Sequence, residues 1–134
     1  MLKWWHNKRM IILYGIPNCE TVKKARAWLT AQGLKYVFHD LKKQGVPVDR
    51  LEAWIQAVGV DKLINRQGTT WRKLDTDSQA SASAESGALT LMQTSSSVIK
   101  RPVVEWQGSG GAVTAGFDAE KWLLLARPKS AVLS

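Results

Sequence analysis

The chain contains one cysteine, Cys19, and its setting makes it the first candidate for chemistry. It follows Gly15-Ile16-Pro17-Asn18, a run that breaks a short apolar strand, and it precedes residues with helical spacing. A thiol at a helix start meets unsatisfied N–H groups and a partial positive charge, which favour the thiolate. Lys23 and Lys24 lie one turn further on and add positive field, while Glu20 opposes them. A free cysteine is in general a small buried hydrophobe. Here its place ahead of a helix argues for a nucleophile.

Two further groups could act with it. Lys100-Arg101-Pro102 stands just before a core strand, where Arg101 offers a planar fork for a carboxylate or oxyanion. Pro102 fits either the cis form beside a site or a trans edge position flanked by solvated cations. Asn65-Arg66-Gln67-Gly68-Thr69-Thr70-Trp71-Arg72 sets a glycine among polar residues ahead of a helix start. That pattern suits a small anion-binding nest, or a capped turn with surface arginines. It is not a phosphate-binding loop of the G-x-x-x-x-G-K-[ST] kind. Neither His6 nor His39 is placed as a partner of Cys19; His39 is expected to end a strand as an edge histidine. The seven Trp are expected mainly in the core.

Composition removes other classes. One cysteine excludes an intramolecular disulfide framework and a cysteine-based zinc or iron–sulfur site, and with only 2 His no metal is expected. No run of 18 or more apolar residues occurs, so no membrane span is expected. The formal charge of +8 permits an anionic partner. Yet the cations sit in short clusters, with no long basic helix, zinc finger or aromatic RNA-binding motif, so direct nucleic-acid binding is not expected.

The elements that must position these residues can be read along the chain. Residues 1–9, with Trp4, Trp5 and three basic residues, are expected to be a disordered extension. Ile11 to Tyr14 reads as a buried strand, and Val22, Ala25, Trp28 and Leu29 share one helical face that ends at Gly33. Leu34 to His39 reads as a second strand. Asp40 to Val46 reads as a polar linker. Asp49 and Glu52 suggest a capping box ahead of Leu51, Trp54, Ile55 and Val58, with Gly59 closing that helix.

A helical turn is expected over Asp61 to Asn65, and a Thr69 or Thr70 cap for Trp71 to Leu74. Ser78 to Gly87 is Ser/Ala-rich and reads as mobile or weakly helical, with a short helix at Leu89, Leu91 and Met92. Val98-Ile99 and Val103 to Trp106 read as strand, and Ala112 to Ala115 as its return after a Gly-rich turn. Asp118 is expected to cap a last helix carrying Trp122, Leu123 and Leu124. The order is βαβ, a helical block, then ββα. The expected fold class is therefore α/β, a thioredoxin-like layout with a mixed four-stranded sheet and an inserted helical subdomain. The expected domains are 10–41 with 98–129, discontinuous, and 42–97 inserted.

These stretches together resemble the arsenate reductase (ArsC)/Spx family, most closely its YffB-type branch. The matching residues are Tyr14 to Ala25, Phe38-His39-Asp40, Leu63 to Leu74, Ile99 to Val103 and Gly116-Phe117-Asp118, so the likeness spans about Met10 to Arg127. The resemblance implies a thioredoxin fold with a helical insertion and a cytoplasmic bacterial protein. By position it makes Cys19 the nucleophilic thiol, Arg101 an anion-positioning arginine and Pro102 a cis-proline. Arg66 lies within a residue of a second anion-binding arginine, whose aligned place is Asn65.

The departures are informative. Arsenate reductases carry His where this chain has Gly15 and Ser where it has Val22, and their third arginine falls near Ala115-Gly116. Lost charge-assisted donors cost about 1.5–3 kcal/mol each, which disfavours arsenate chemistry. Spx regulators carry C-x-x-C, whereas the position three after Cys19 is Val22. The expectation is a monothiol, glutathione-dependent thiol–disulfide reductase acting on a protein or small-molecule disulfide. Glutathione is its co-substrate, held by Arg101, Pro102, Arg66, Asn18 and Lys23. The alternatives are an arsenate reductase-type enzyme and an Spx-type regulator that binds RNA polymerase.

Overall fold

The computed structural model describes residues 10–126, so the expected extension 1–9 and the end of the expected first domain lie outside the described residues. The chain divides into a sheet unit, up to His39 and from Arg101, and a helical unit, Asp40–Lys100. The sequence reading puts those boundaries at 41/42 and 97/98.

In the sheet unit, β1 (Ile11–Gly15), β2 (Tyr36–Asp40), β3 (Val103–Trp106) and β4 (Ala112–Ala115) form one mixed sheet in the order β2-β1-β3-β4. β3 is antiparallel to both β1 and β4. The helices are α1 (Glu20–Ala31) and the last one, α8 (Ala119–Ala126). Side chains alternate across a strand, so Ile11, Leu13, Val104 and Trp106 fall on one face. They form a core with Val22, Ala25 and Leu29 of α1 and Trp122 of α8. Burying each of the Val, Leu and Ile side chains among them contributes about 1.5–3 kcal/mol. Rings close the far end: Trp122 lies 5.0 Å from Trp106, 4.8 Å from Phe117 and 5.9 Å from Trp28, all edge-on. The other face is partly polar. There the Tyr14 hydroxyl donates to Glu105 Oε1 at 3.1 Å, both residues buried, and the His39 ring lies 4.9 Å from that of Tyr14.

The last helix corrects one expectation. Asp118 does cap it, accepting from the Lys121 N–H at 3.2 Å. But Leu123 and Leu124 are exposed; the core side is Trp122 with Leu125 and Ala126, at spacings of three and four. β2 also starts later than expected, at Tyr36.

The helical unit holds α2 (Leu41–Gln44), α3 (Val48–Val58), α4 (Val60–Leu63), α5 (Thr69–Arg72), α6 (Thr76–Ser81) and α7 (Glu85–Thr94). The linker expected at Asp40 to Val46 is in part α2, because the Asp40 carboxylate accepts from the Lys42 and Lys43 N–H groups and Leu41 is buried. α3 begins at Val48 behind Pro47, so no capping box forms at Asp49 and Glu52. Gly68, not a threonine, precedes α5. The turn expected at Asp61 to Asn65 is α4, which begins one residue earlier and ends two residues earlier.

The Ser/Ala-rich stretch is ordered as α6 and the start of α7. Asp75 caps α6 through the Ser78 N–H at 2.7 Å, and Ala82 is fully buried. A β-carbon at Gly87 would fall 1.9 Å from the Ser81 carbonyl oxygen, so that helix start needs a glycine. Val98 ends a 3-10 turn (Ser96–Val98), and Ile99 makes only an isolated bridge to Ile64, in place of the expected strand.

Candidate active site

Cys19 is the N-cap residue of α1, extended at φ −135° and ψ 124°, and its side chain makes no capping hydrogen bond. Its carbonyl accepts from the Lys23 N–H at 2.9 Å, the first helical turn. The thiol is free and partly buried, packed against the sheet unit's core. Asn18 and Pro17 before it are exposed. The start of a helix concentrates N–H groups without intrahelical acceptors, and the side chain that normally answers them is here a thiol. Lys23 Nζ lies 3.4 Å from Glu20 Oε2, an exposed pair one turn from Cys19. Such pairs contribute about 0–1 kcal/mol, so Lys23 can exchange Glu20 for another anion at little cost.

Gly15 and Val22 fit each other. A β-carbon at Gly15 would lie 2.8 Å from one Val22 methyl and 3.2 Å from the other, and Val22 is fully buried. The two differences from the arsenate reductase pattern thus form one packing unit: the valine fills the space that a side chain at 15 requires.

Arg101 and Pro102 stand at the entrance to β3, and the peptide bond between them is cis. The register that sets Tyr14 opposite Val103 brings the exit of β1 and the entrance of β3 to the same end of the sheet. Pro102 is buried, its carbonyl accepting from the Gly116 N–H at 2.9 Å. Arg101 is half-buried and pairs with no carboxylate among the described residues. The sheet unit therefore contains Asn18, Cys19, Lys23, Arg101 and Pro102.

Arg66 belongs to the helical unit. Its Nη1 donates to Asp61 Oδ1 at 3.0 Å, and its guanidinium lies 5.3 Å from the centre of the Trp71 ring. Asn65 organises the turn beside it: its side-chain oxygen accepts from the Gln67 N–H, and its carbonyl from the Gly68 N–H. The arginine is thus already held by an acidic side chain and a ring.

One residue of the sheet unit carries no expectation from sequence. Arg26, on α1, donates from Nε to the Tyr36 hydroxyl at 2.9 Å and lies 4.0 Å from the centre of the Phe38 ring. Its position seven after Cys19 is the one sequence signal that marks it. Among the described residues no group of three or more His, Cys, Asp or Glu gathers to hold a metal. No described helix is long and apolar enough to cross a membrane.

Residues 14–125 match the ArsC family. An uncharacterized protein of Haemophilus influenzae is 36% identical over 113 residues, covering 84% of this chain and 96% of its own. The solved structure of the YFFB (PA3664) protein is 39% identical and superposes with a TM-score of 0.80, covering 87% of this chain and 99% of that one. The global transcriptional regulator Spx of Listeria innocua is 25% identical over 97 residues, 71% of this chain and 72% of Spx.

Proposed function

The chain belongs to the ArsC family, and on that premise we propose that it is a cytoplasmic, glutathione-dependent thiol–disulfide reductase working with one cysteine. The observation that carries this reading is Cys19 itself, a free thiol in the N-cap position of α1 with no capping hydrogen bond. Cys19 as thiolate attacks one sulfur of a disulfide. A Cys19–S–S–R bond forms, the original S–S bond breaks, and the departing thiolate leaves with the bonding pair and takes a proton from water. A glutathione thiolate then attacks the R sulfur, releasing the Cys19 thiolate and a mixed disulfide of R and glutathione. A second glutathione reduces that product to the free thiol and glutathione disulfide. Two glutathione molecules supply the two electrons.

Arg101 takes a glutathione carboxylate with its planar fork, Pro102 and Asn18 line the thiol's approach, and Lys23 exchanges Glu20 for the incoming anion. Arg66, in the helical unit, holds Asp61 in an exposed pair that an anion displaces at little cost, and it is given no place in the Cys19 site. Two features favour this reading over the family's alternatives. Val22 is buried at the place of a second thiol, so the resolving sulfur comes from outside the chain. A β-carbon at Gly15 would press on Val22, so a histidine at 15 does not fit beside this valine.

The test is intact-mass analysis of the reduced protein incubated with glutathione disulfide across a pH series, with Cys19→Ser as control. The expected result is one glutathionyl adduct, reversed by dithiothreitol, absent from Cys19→Ser. It should still form quickly well below about pH 8.5, where an ordinary thiol ionises. No adduct until alkaline pH would overturn the reading. Capture of RNA polymerase unaffected by Cys19→Ser would then favour the regulator alternative.

A further inference from the structure

We propose that Arg26 is a specificity residue that takes a carboxylate of the glutathione co-substrate and makes the site prefer anionic disulfides over uncharged ones. This rests on the glutathione-dependent reading of Cys19 and extends it to a residue no motif marks. Arg26 follows Cys19 by seven positions, nearly two turns of α1. It therefore lies about 10 Å further along the axis and on almost the same line. Helix side chains tilt toward the N-terminus, so its guanidinium leans back toward the Cys19 end.

Its surroundings fix it. Nε is used by the Tyr36 hydroxyl at 2.9 Å, and the guanidinium carbon sits 4.0 Å above the Phe38 ring and 5.8 Å from that of Tyr36. Both rings belong to β2. The sheet is mixed and its β1–β3 and β3–β4 pairings are antiparallel, so β2 runs parallel to β1, toward the end where the Cys19 loop leaves.

What remains of Arg26 is unused. Its Nη groups have no acceptor and its charge no carboxylate among the described residues, although Glu20 lies on the same helix, paired with Lys23. A guanidinium held by a hydroxyl and a ring, with two Nη groups unpaired, is preorganised for the bidentate grip that arginine makes on carboxylates. The ring contact alone would tie α1 to the sheet edge, but it would do so equally with a carboxylate partner present. Glutathione offers a thiol flanked by carboxylates, and α1 offers a thiol and an unpaired guanidinium along one line.

The experiment compares rates of adduct formation at Cys19 with glutathione disulfide and with uncharged hydroxyethyl disulfide, for wild type, Arg26→Gln and Arg26→Lys. Denaturant midpoints serve as a fold control. One charge-assisted contact predicts about a tenfold slower reaction of Arg26→Gln with glutathione disulfide and less than about a twofold change with hydroxyethyl disulfide. Arg26→Lys should follow Arg26→Gln, since it keeps the charge and loses the fork. Tyr36→Phe, which keeps the guanidinium but removes the hydroxyl that fixes its Nε, should lose part of the preference. Equal slowing with both disulfides, no slowing with either, or full recovery in Arg26→Lys would each overturn the proposal and leave the reductase reading standing. A wild-type protein inert to both disulfides would overturn that reading, and the docking with it.

Discussion

The unit that carries Cys19 packs Trp106 and Trp122 with the sheet and α1 into one core, whereas the helical unit divides its chain among six short helices. Three of those helices have four residues each. Isolated helices below about 12–15 residues are marginal in water, so such pieces depend on caps and on packing. The caps are visible at Asp40 and Asp75, and the packing at Leu51, Trp54, Ala88 and Met92, all fully buried. α1 is longer than any of these helices and, like α3, α4, α5 and α7, has no side-chain cap. Its 12 residues bury a continuous stripe, and its N-cap side chain answers no backbone group. The contrast is one of support: the sheet and its large side chains hold α1 without a cap, so the side chain at its start can be a thiol, whereas two of the six helix starts in the helical unit, at Asp40 and Asp75, carry capping carboxylates.

The strongest way to break this comparison is to remove the ring on which the sheet unit closes. Trp122→Ala should destabilise the protein by about 3–5 kcal/mol, toward the lower end. The indole N–H is buried without an acceptor among the described residues, and truncation removes that penalty along with the packing. Urea denaturation checks it; a loss under about 1 kcal/mol would mean that the aromatic cluster does not anchor the unit.

A smaller effect sharpens the account of the thiol loop. Gly15→Ala should cost about 1–3 kcal/mol by overpacking against Val22. Combined with Val22→Ala, the double variant should be more stable than the two single losses added together, with a coupling of about 0.5–3 kcal/mol. Denaturation midpoints of the four proteins give that number directly. Strict additivity would show that the two positions are independent, and the single packing unit inferred from their contact would fall.

How much of this was readable beforehand follows the range of the interactions. The loop from Gly15 to Cys19, the helix behind it and the Arg101-Pro102 entrance to β3 are local signals: a strand ends, a proline restricts the chain, a helix period begins. The apolar patterns of the four strands likewise expose the sheet. Arg26 was illegible because its partners, Tyr36 and Phe38, reach it only once β2 folds back beside β1. The buried Tyr14–Glu105 hydrogen bond spans 91 positions and has no local signature. Helices of four residues are too short to show a period, so α2 reads as linker although Asp40 caps it. Val98-Ile99 reads as strand because a two-residue apolar run does not distinguish a bridge from a ladder. The run Leu123-Leu124-Leu125 misleads differently: three successive leucines cannot share one face of a helix, and the spacing from Trp122 selects Leu125.

The mildest test concerns a cap of the helical unit and is read in pH. The Ser78 backbone N–H, and after it the Ser78 side chain, holds the Asp75 carboxyl below its ordinary value of 3.8. A carboxylate with a lowered folded value stabilises the native state fully above the ordinary value and loses that contribution as pH falls through the lowered one. Asp75→Asn keeps an oxygen for the Ser78 N–H and removes the titration. The wild type should therefore exceed Asp75→Asn in urea midpoint at neutral pH, with the gap closing as pH falls below the ordinary value of 3.8 and through the lowered one. Because Asp75 is exposed, the gap should be small and should leave the rate of Cys19 adduct formation unchanged. A gap that stays constant with pH would trace the loss to the shape of the turn, and the charge on this cap would have no part in holding α6.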